Sequence, residues 1–231
     1  MKKRFGKSLM IVGCVGTEAL LRRCAKKVPT DCDMLEVRLD LTGLCRGQWR
    51  ELCAAIERQG MPVLLTIRDE AEGGQWRGRE AERLALYLAG LKSVSAVDVE
   101  IRAHGLQLLA QAAHRYRVKV VGSFHDFKGT PEFSVLHGVE TRGRRMGADV
   151  VKIVTLAQTT KDLARLFALP ACAKGPLCVM GMGALGPISR IALSCAGSCL
   201  VYGSLGKATA PGQLSCRKLR KELDRIGLEA N

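Results

Sequence analysis

Eight short apolar runs recur along the chain, and this repetition constrains the fold more than any other feature of the sequence. Each run is rich in Val, Ile and Leu, and their starts fall 22 to 34 residues apart. Such runs, bounded by polar segments, are typical of strands buried on both faces of a parallel sheet. The runs cover residues 9–15, 34–40, 62–68, 96–101, 118–124, 149–156, 177–182 and 199–205.

The segments between the runs carry helix signals. Thr17 and the stretch 159–162 resemble helix N-caps, Pro131 is placed for a first helical turn, and a last helix is expected near 213–226. Eight strands, each followed by a helix, satisfy a closed barrel, whereas a doubly wound sheet usually needs fewer strands. The sequence therefore predicts an α/β protein, a single-domain (β/α)8 TIM barrel over residues 1–231.

The formal net charge of +14 leaves a nucleic-acid-binding domain open as an alternative function. The basic residues are spread along the chain, however, and aromatic residues, at 4%, are too few to form stacking platforms. We therefore expect a solvated helix surface, with no nucleic-acid partner. The ten cysteines include no CxxC pair, which favours free thiols in the cytoplasm and no metal site, and no run is long enough to span a membrane.

Charged side chains interrupt the apolar runs near their C-terminal ends. Glu36, Arg38 and Asp40 alternate with apolar residues, so a strand would place all three on one face. The third run ends at Arg68, the fourth carries Asp98 and Glu100, and the fifth leads into His125. Active sites of TIM barrels are built at this end of the strands. We expect these residues to converge at the barrel mouth.

Lys152 lies inside the sixth run between β-branched neighbours. Removal from water favours the neutral amine, which is the nucleophile that forms imines. Two other interpretations stay open at this point. Lys152 could extend from a strand end toward solvent or pair with Glu100, and His125 could be a structural histidine rather than a general base.

The arginines near the strand ends and the glycines after the last strand admit more than one role. Arg38, Arg68 and Arg190 suit a carboxylate ligand, but each could instead be an ion-pair partner of a nearby acid. The glycine-containing segment 203–207 could hold a phosphate, although it is no full P-loop. The polar stretch 209–213 has the position of a lid over the barrel mouth or of an ordinary connection.

Taken in order, six motifs resemble those of the type I 3-dehydroquinate dehydratase family over nearly the whole chain. They are Glu36-Val-Arg38-Leu-Asp40, Thr66-Ile-Arg68 with Glu72-Gly-Gly, His125-Asp-Phe, Lys152 in VVKIV, Gly186 to Arg190, and Ala210-Pro-Gly-Gln213. The resemblance implies a hydro-lyase that dehydrates 3-dehydroquinate to 3-dehydroshikimate through a lysine Schiff base. It places the enzyme in the shikimate pathway, which leads through chorismate to the aromatic amino acids.

The resemblance also implies a role for each matching residue. Lys152 would form the imine, His125 would transfer protons, and Glu72 would position or charge-balance His125. Arg190 would bind the substrate carboxylate. The remaining substrate-binding residues would be Glu36, Arg38, Arg68, Thr209 and Gln213.

Two positions depart from the family pattern. Thr209 stands where the family commonly has serine, and Tyr202 stands where phenylalanine is expected. Neither departure removes a catalytic group. The family further implies a homodimer that needs no cofactor and acts on a small-molecule substrate.

A class I aldolase is the enzymatic alternative. It would also use a Schiff-base lysine on the sixth strand of a barrel, and Lys207 with its glycines would then bind a phosphate. The EVRLD run, Arg190 and the APGQ stretch suit a carboxylated polyol better than a sugar phosphate. Cleavage of phosphorylated aldols would separate the two.

Overall fold

The computed structural model describes residues 5–45, 47–206 and 213–228. Its strands are β1 (Met10–Val15), β2 (Met34–Arg38), β3 (Val63–Thr66), β4 (Ala96–Glu100), β5 (Lys119–Asp126), β6 (Val150–Leu156), β7 (Leu177–Met182) and β8 (Leu200–Ser204). The helices are α1 (Glu18–Lys26), α2 (Leu39–Thr42), α3 (Trp49–Arg58), α4 (Glu80–Gly90), α5 (Leu106–Arg115), α6 (Phe133–Arg145), α7 (Thr160–Cys172), α8 (Gly186–Cys195) and α9 (Cys216–Arg225), with a 3₁₀ turn at Glu70–Glu72.

The strands pair in parallel, each with its neighbour in sequence, and β1 also pairs with β8. β7 and β8 stand at the two ends of this order, and the Cys199 N–H donates a hydrogen bond to the Leu177 carbonyl oxygen at 2.8 Å. That bond brings the two ends together and closes the ring. The predicted (β/α)8 barrel is confirmed, because one of these strands falls on each of the eight apolar runs, although β5 extends past the fifth run to Asp126.

Local sequence explains where several helices begin. The Thr17 hydroxyl accepts the Leu20 N–H at 3.2 Å and so caps α1. Thr159 and Asp162 form a reciprocal capping box at the start of α7. Both N-caps agree with the prediction from sequence. The last helix also forms, although it is shorter than 213–226 and begins after Ser215.

Two predicted boundaries are wrong. Asp40 does not continue the alternation of β2: the strand ends at Arg38, and Asp40 lies in α2, which Gly43 ends in a left-handed conformation with φ 71°. A bidentate ion pair between Arg38 and Asp40 accompanies this turn. Pro131 also precedes its helix rather than opening it, since α6 begins at Phe133.

The barrel interior is divided into an apolar base and a polar mouth. Met34, Leu64, Val121, Val150 and Leu200 belong to the apolar cluster that fills the inside of the ring. A second and larger cluster packs the outer face of the strands against the helices. Together these layers hold the strand ends rigidly, so the polar side chains at the mouth are placed on a fixed frame.

Among the described residues, no helix combines the length and apolar character needed to cross a membrane.

Candidate active site

A cavity of about 100 Å³ opens at the C-terminal ends of the strands. Of the nine residues predicted for the site, eight line this cavity: Glu36, Arg38, Arg68, Glu72, His125, Lys152, Arg190 and Gln213. The ninth, Thr209, lies outside the described residues, as do Lys207 and most of the proposed lid. The remaining lining residues are Cys14, Gly73, Phe127, Val154, Met180, Met182 and Tyr202.

Lys152 points into the barrel from β6 and is 4% exposed. Its Nζ donates a hydrogen bond to Asp98 Oδ2 at 2.9 Å and lies 3.8 Å from Glu36 Oε1. The ring of Tyr202 covers another side of the amine, with 4.1 Å between Nζ and the ring centre. The suggested pairing with Glu100 is therefore wrong, because Asp98 takes that place.

Asp98 lies fully buried between Lys152 and Arg68. Its Oδ1 accepts from Arg68 at 2.7 Å and from the Ser123 hydroxyl at 2.6 Å. Burial alone would raise the pKa of Asp98, but the charges of Arg68 and Lys152 outweigh burial and hold that pKa well below its usual range. Asp98 is thus a permanent anion that fixes the lysine amine in position.

Arg68 reaches the same region from the end of β3 and is 3% exposed. Besides Asp98, it donates to Glu100 Oε1 at 2.9 Å and to the Ser123 hydroxyl at 2.6 Å. Glu100 is also held by Arg83, whose guanidinium donates to Glu100 Oε2 at 2.6 Å. These ion pairs balance the buried charges and leave Arg68 facing the cavity from a fixed position.

His125 and Glu72 form a hydrogen-bonded pair that lines the cavity. Glu72 Oε2 lies 2.9 Å from His125 Nδ1 and also accepts the His125 backbone N–H at 2.9 Å. An Nδ1–H donated to Glu72 leaves Nε2 as a proton acceptor. Burial lowers the pKa of His125 well below its ordinary value, and the positive charges of Arg68 and Lys152 lower it further. The imidazole is therefore neutral, as a general base must be.

Glu72 owes its position to the tight turn that follows β3. Asp69 caps the 3₁₀ turn by accepting the Ala71 N–H at 2.9 Å, and Gly73 ends it with φ 78°. Burial raises the pKa of Glu72 to about 7, partly offset by the charge of Arg68. Its Oε1 makes no hydrogen bond within the described ranges, and Arg102 lies 3.7 Å away.

The residues predicted to hold substrate approach from other strands. Glu36 accepts from the Thr66 hydroxyl at 3.0 Å and from the Cys14 thiol at 3.2 Å. Arg38 stands beside it, with Nη2 2.7 Å from Asp40 Oδ2. Both side chains are thus anchored from behind and present their remaining polar atoms to the cavity.

Arg190 and Gln213 complete the rim. Arg190, in α8, is 2% exposed and donates to the Gly181 carbonyl oxygen at 3.3 Å. Burial lowers its pKa, although a guanidinium remains charged near neutral pH. Gln213 Nε2 donates to Cys14 Sγ at 3.3 Å. A buried guanidinium at the edge of the cavity is suited to an anionic group of a ligand.

The other histidines lie away from the cavity. His114 pairs with Asp149 at 2.9 Å, and His137 lies 3.8 Å from Glu140. No group of three or more His, Cys, Asp or Glu within the described ranges is arranged to hold a metal ion.

Sequence reasoning placed Asp98 at the barrel mouth without a specific role and did not single out Cys14, yet both contact predicted site residues directly. The sequence does carry a signal for Asp98, which alternates with Val97 and Val99 on a buried strand. No comparable signal marks Cys14, since a cysteine in an apolar strand is ordinarily a packing residue.

Comparison with known proteins agrees with this geometry. The model of the family described as type I 3-dehydroquinase matches residues 13–229. A 3-dehydroquinate dehydratase from Methanosarcina barkeri (strain Fusaro / DSM 804) is 34% identical over 224 residues, which cover 90% of each chain. Another from Klebsiella pneumoniae subsp. pneumoniae is 31% identical over 234 residues, covering 95% of this chain and 93% of its own.

Solved structures lead to the same family. The 3-dehydroquinate dehydratase of Geobacillus kaustophilus HTA426 superimposes with a TM-score of 0.87 at 26% identity, covering 97% of this chain and 93% of the other. A type I 3-dehydroquinate dehydratase from Clostridium difficile, solved with covalently modified comenic acid, gives a TM-score of 0.85 at 25% identity. That match covers 95% of this chain and 92% of the other. The resemblance read from the motifs is confirmed.

Proposed function

The chain belongs to the type I 3-dehydroquinase family, and from that membership we propose that it dehydrates 3-dehydroquinate to 3-dehydroshikimate through an imine on Lys152. It is a dehydratase, and therefore a hydro-lyase, of this family. One observation carries the mechanism: a buried lysine amine and a neutral imidazole paired with Glu72 line the same cavity as a buried arginine. Nucleophile, base and carboxylate-binding group are then available to one substrate molecule.

Lys152 performs the covalent step. Once it has given up a proton, its amine attacks the ketone carbon of the substrate, and the resulting carbinolamine loses water to leave an iminium. The positive charge forms on the nitrogen that lies 2.9 Å from Asp98 Oδ2. Because Asp98 is a fixed buried anion, it stabilises that charge without rearrangement. The amine returns when water hydrolyses the product imine.

His125 performs the proton transfers. The iminium makes the hydrogen on the adjacent carbon acidic, and the neutral Nε2 removes it to give an enamine. The enamine then expels the hydroxyl group one carbon further on, which takes the same proton from His125 and leaves as water. Glu72, 2.9 Å from Nδ1, stabilises the imidazolium formed between the two transfers.

Substrate orientation is assigned to the remaining residues. Arg190 binds the carboxylate, whereas Glu36, Arg38, Arg68 and Gln213 bind hydroxyl groups, with Thr209 as a further contact. Apart from Thr209, which lies outside the described residues, these side chains converge on the cavity, and Glu36 and Arg38 are also anchored from behind. The cavity thus offers a guanidinium to an anionic group and several polar side chains to hydroxyl groups. This combination favours a carboxylated polyol over the sugar phosphate of an aldolase.

Turnover of 3-dehydroquinate tests the proposal, because elimination creates a conjugated enone whose ultraviolet absorption can be followed. We expect activity from the purified protein and none from Lys152→Ala. His125→Ala should still form the imine but lose proton transfer. A folded wild-type protein without dehydratase activity, or one that instead cleaves phosphorylated aldols, would contradict the assignment.

The cellular setting is proposed on separate grounds. We place the enzyme in the shikimate pathway, which supplies aromatic amino acids, because relatives over most of the chain are 3-dehydroquinate dehydratases. Ten free cysteines fit the reducing cytoplasm. The family resemblance implies a homodimer. Each chain would form one catalytic domain over residues 1–231, and the enzyme would need neither metal nor cofactor. Sedimentation at twice the chain mass of 25.0 kDa would support the dimer.

A further inference from the structure

One hydroxyl group inside the barrel has no hydrogen-bond partner among the residues that the structure describes. Tyr202 lies on β8 and is 4% exposed. Its hydroxyl oxygen is buried and makes no hydrogen bond to the residues that the structure describes. Buried polar groups are nearly always paired, and an unpaired one is unfavourable for folding. Such a group in a binding cavity points to a partner that arrives with the ligand.

The position of Tyr202 relates this hydroxyl to the reacting centre. Tyr202 lines the same cavity as Lys152, Glu36 and Arg190. The Lys152 amine lies 4.1 Å from the centre of the Tyr202 ring, so the substrate carbon that it attacks must come to rest beside that ring. Oxygen atoms on or next to this carbon are then the nearest polar groups of the substrate.

The hydroxyl enters the interaction as a neutral donor. Burial raises the pKa of Tyr202 well above its ordinary value, and the nearby carboxylates of Asp98 and Glu36 raise it further. A phenol in this environment keeps its proton near neutral pH. It can therefore donate a hydrogen bond to an oxygen atom but supplies no negative charge.

We propose that the Tyr202 hydroxyl is a specificity-determining group that donates a hydrogen bond to a substrate oxygen beside the ketone carbon attacked by Lys152. The inference rests on the proposed function and adds a binding contact to it. Analogues of the substrate that lack this oxygen leave the buried hydroxyl unpaired and are discriminated against. Tyr202 thus favours polyhydroxylated ketones over less oxidised rings of the same size.

Two matched substitutions isolate the hydroxyl. Tyr202→Phe removes the oxygen and keeps the ring that packs on Lys152. Tyr87→Phe makes the same chemical change at a satisfied site, since the Tyr87 hydroxyl accepts the Ile67 N–H at 2.8 Å and donates to the Asp98 carbonyl oxygen at 2.6 Å. Both side chains are buried, so the two tyrosines differ in whether the hydroxyl has a partner among the described residues.

We expect Tyr202→Phe to lower kcat/KM for 3-dehydroquinate roughly fivefold to tenfold, the fold-change of one lost hydrogen bond. The melting temperature of the ligand-free Tyr202→Phe protein should be unchanged or higher, because an unpaired buried oxygen is removed. In Tyr87→Phe the melting temperature should fall. A kcat/KM of Tyr202→Phe within twofold of wild type, or a melting temperature lowered as in Tyr87→Phe, would overturn the inference.

Borohydride reduction with 3-dehydroquinate separates this inference from the proposed function. A wild-type protein that turns over and is labelled on Lys152 retains the proposed function whatever Tyr202→Phe does. Wild-type protein with neither turnover nor label overturns both. Labelling of Lys152 in Tyr202→Phe at high substrate concentration is expected, because the amine and its neighbouring ring are intact.

Discussion

Glu72 illustrates how burial sets chemistry at the scale of a single residue. The carboxylate is 3% exposed and its pKa is raised to about 7, chiefly by loss of water. Its partner His125 has a pKa shifted in the opposite direction, for the same reason. Near neutral pH the pair therefore consists of a neutral imidazole beside a carboxyl group that titrates. Activity should depend on the ionisation of Glu72 more than on that of His125.

Substitution of Glu72 by Gln tests this account through stability. The folded-state pKa of about 7 lies above the ordinary value of 4.5, so the folded protein binds this proton more tightly than the unfolded chain. The corresponding stability is present below pH 4.5 and is lost as the pH rises through 7. At pH 8, Glu72→Gln should therefore increase the free energy of unfolding by on the order of 3 kcal/mol, with little gain at pH 5.

Denaturant unfolding at the two pH values measures this difference, with Glu18→Gln as an exposed control. The same Glu72→Gln variant should lose activity at pH 8, because the imidazolium formed in the reaction has no anionic partner. Equal stability of wild type and variant at pH 8 would contradict the raised pKa.

Among single residues, sequence reasoning predicted that Lys152 and His125 lie at the barrel mouth, where both line the cavity, but it did not predict all of their contacts. Lys152 and His125 stood out because charged or titratable side chains interrupt apolar strands. The partner of Lys152 could not be chosen from sequence, since Asp98 and Glu100 share one face of β4. The choice depends on the register and on Arg68, which contacts both carboxylates. Tyr202 was visible in the sequence, but its unpaired hydroxyl was not.

At the scale of elements, the turn after β3 decides whether Glu72 can meet His125. The turn folds tightly back on Arg68: the Trp76 N–H donates to the Arg68 carbonyl oxygen at 3.1 Å, and the Gly74 N–H donates to the Asp69 carbonyl oxygen at 2.9 Å. A Cβ atom on Gly74 would lie only 1.9 Å from the Arg68 carbonyl oxygen. Glycine is therefore required by the close approach of two backbone segments.

Gly74→Ala should displace this turn and separate Glu72 from His125. We expect a loss of more than about 1 kcal/mol in the free energy of unfolding, together with reduced kcat. Gly138→Ala is the control, because a Cβ there meets no atom within 4 Å, and alanine inside α6 should stabilise the protein. Thermal melts and turnover of the two variants make the comparison. Full activity of Gly74→Ala would show that the turn tolerates movement.

Element boundaries were predicted unevenly, and the reasons are local. Strand positions followed from hydrophobic runs because a parallel barrel buries both faces of each strand. The end of β2 was missed because alternation of charges continued into Asp40, whereas Arg38 leaves the extended conformation there with φ −80° and ψ 80°. Capping signals at Thr17 and Thr159 were reliable, since each hydroxyl bonds a free N–H of its own helix.

For the whole molecule, the spacing of eight runs was sufficient to predict the barrel. Once that architecture is adopted, residues far apart in sequence meet at the strand ends, which is why Glu36, Glu72 and Lys152 line one cavity. The net charge of +14 contributed nothing to the fold. Its distribution over helix surfaces instead bears on what the protein attracts from solution.

The charge allows a test of the nucleic-acid alternative at this scale. A protein that binds through phosphate contacts has an affinity that falls steeply with salt. We expect any retention of labelled single- or double-stranded nucleic acid at low salt to vanish at physiological salt, while dehydratase activity persists. Specific retention at physiological salt, competed by one nucleic-acid sequence over another, would contradict the view that the basic residues are solvated surface.

The central claim is that Lys152 forms an imine with 3-dehydroquinate, and borohydride trapping tests it most directly. Purified protein is incubated with 3-dehydroquinate, reduced, digested and examined by peptide mass spectrometry, with Lys152→Ala treated in parallel. The account predicts a ligand-derived adduct on the peptide containing Lys152, absent from the variant. An adduct on another lysine would contradict it. So would the absence of any adduct from folded protein under conditions in which borohydride reduces a control imine.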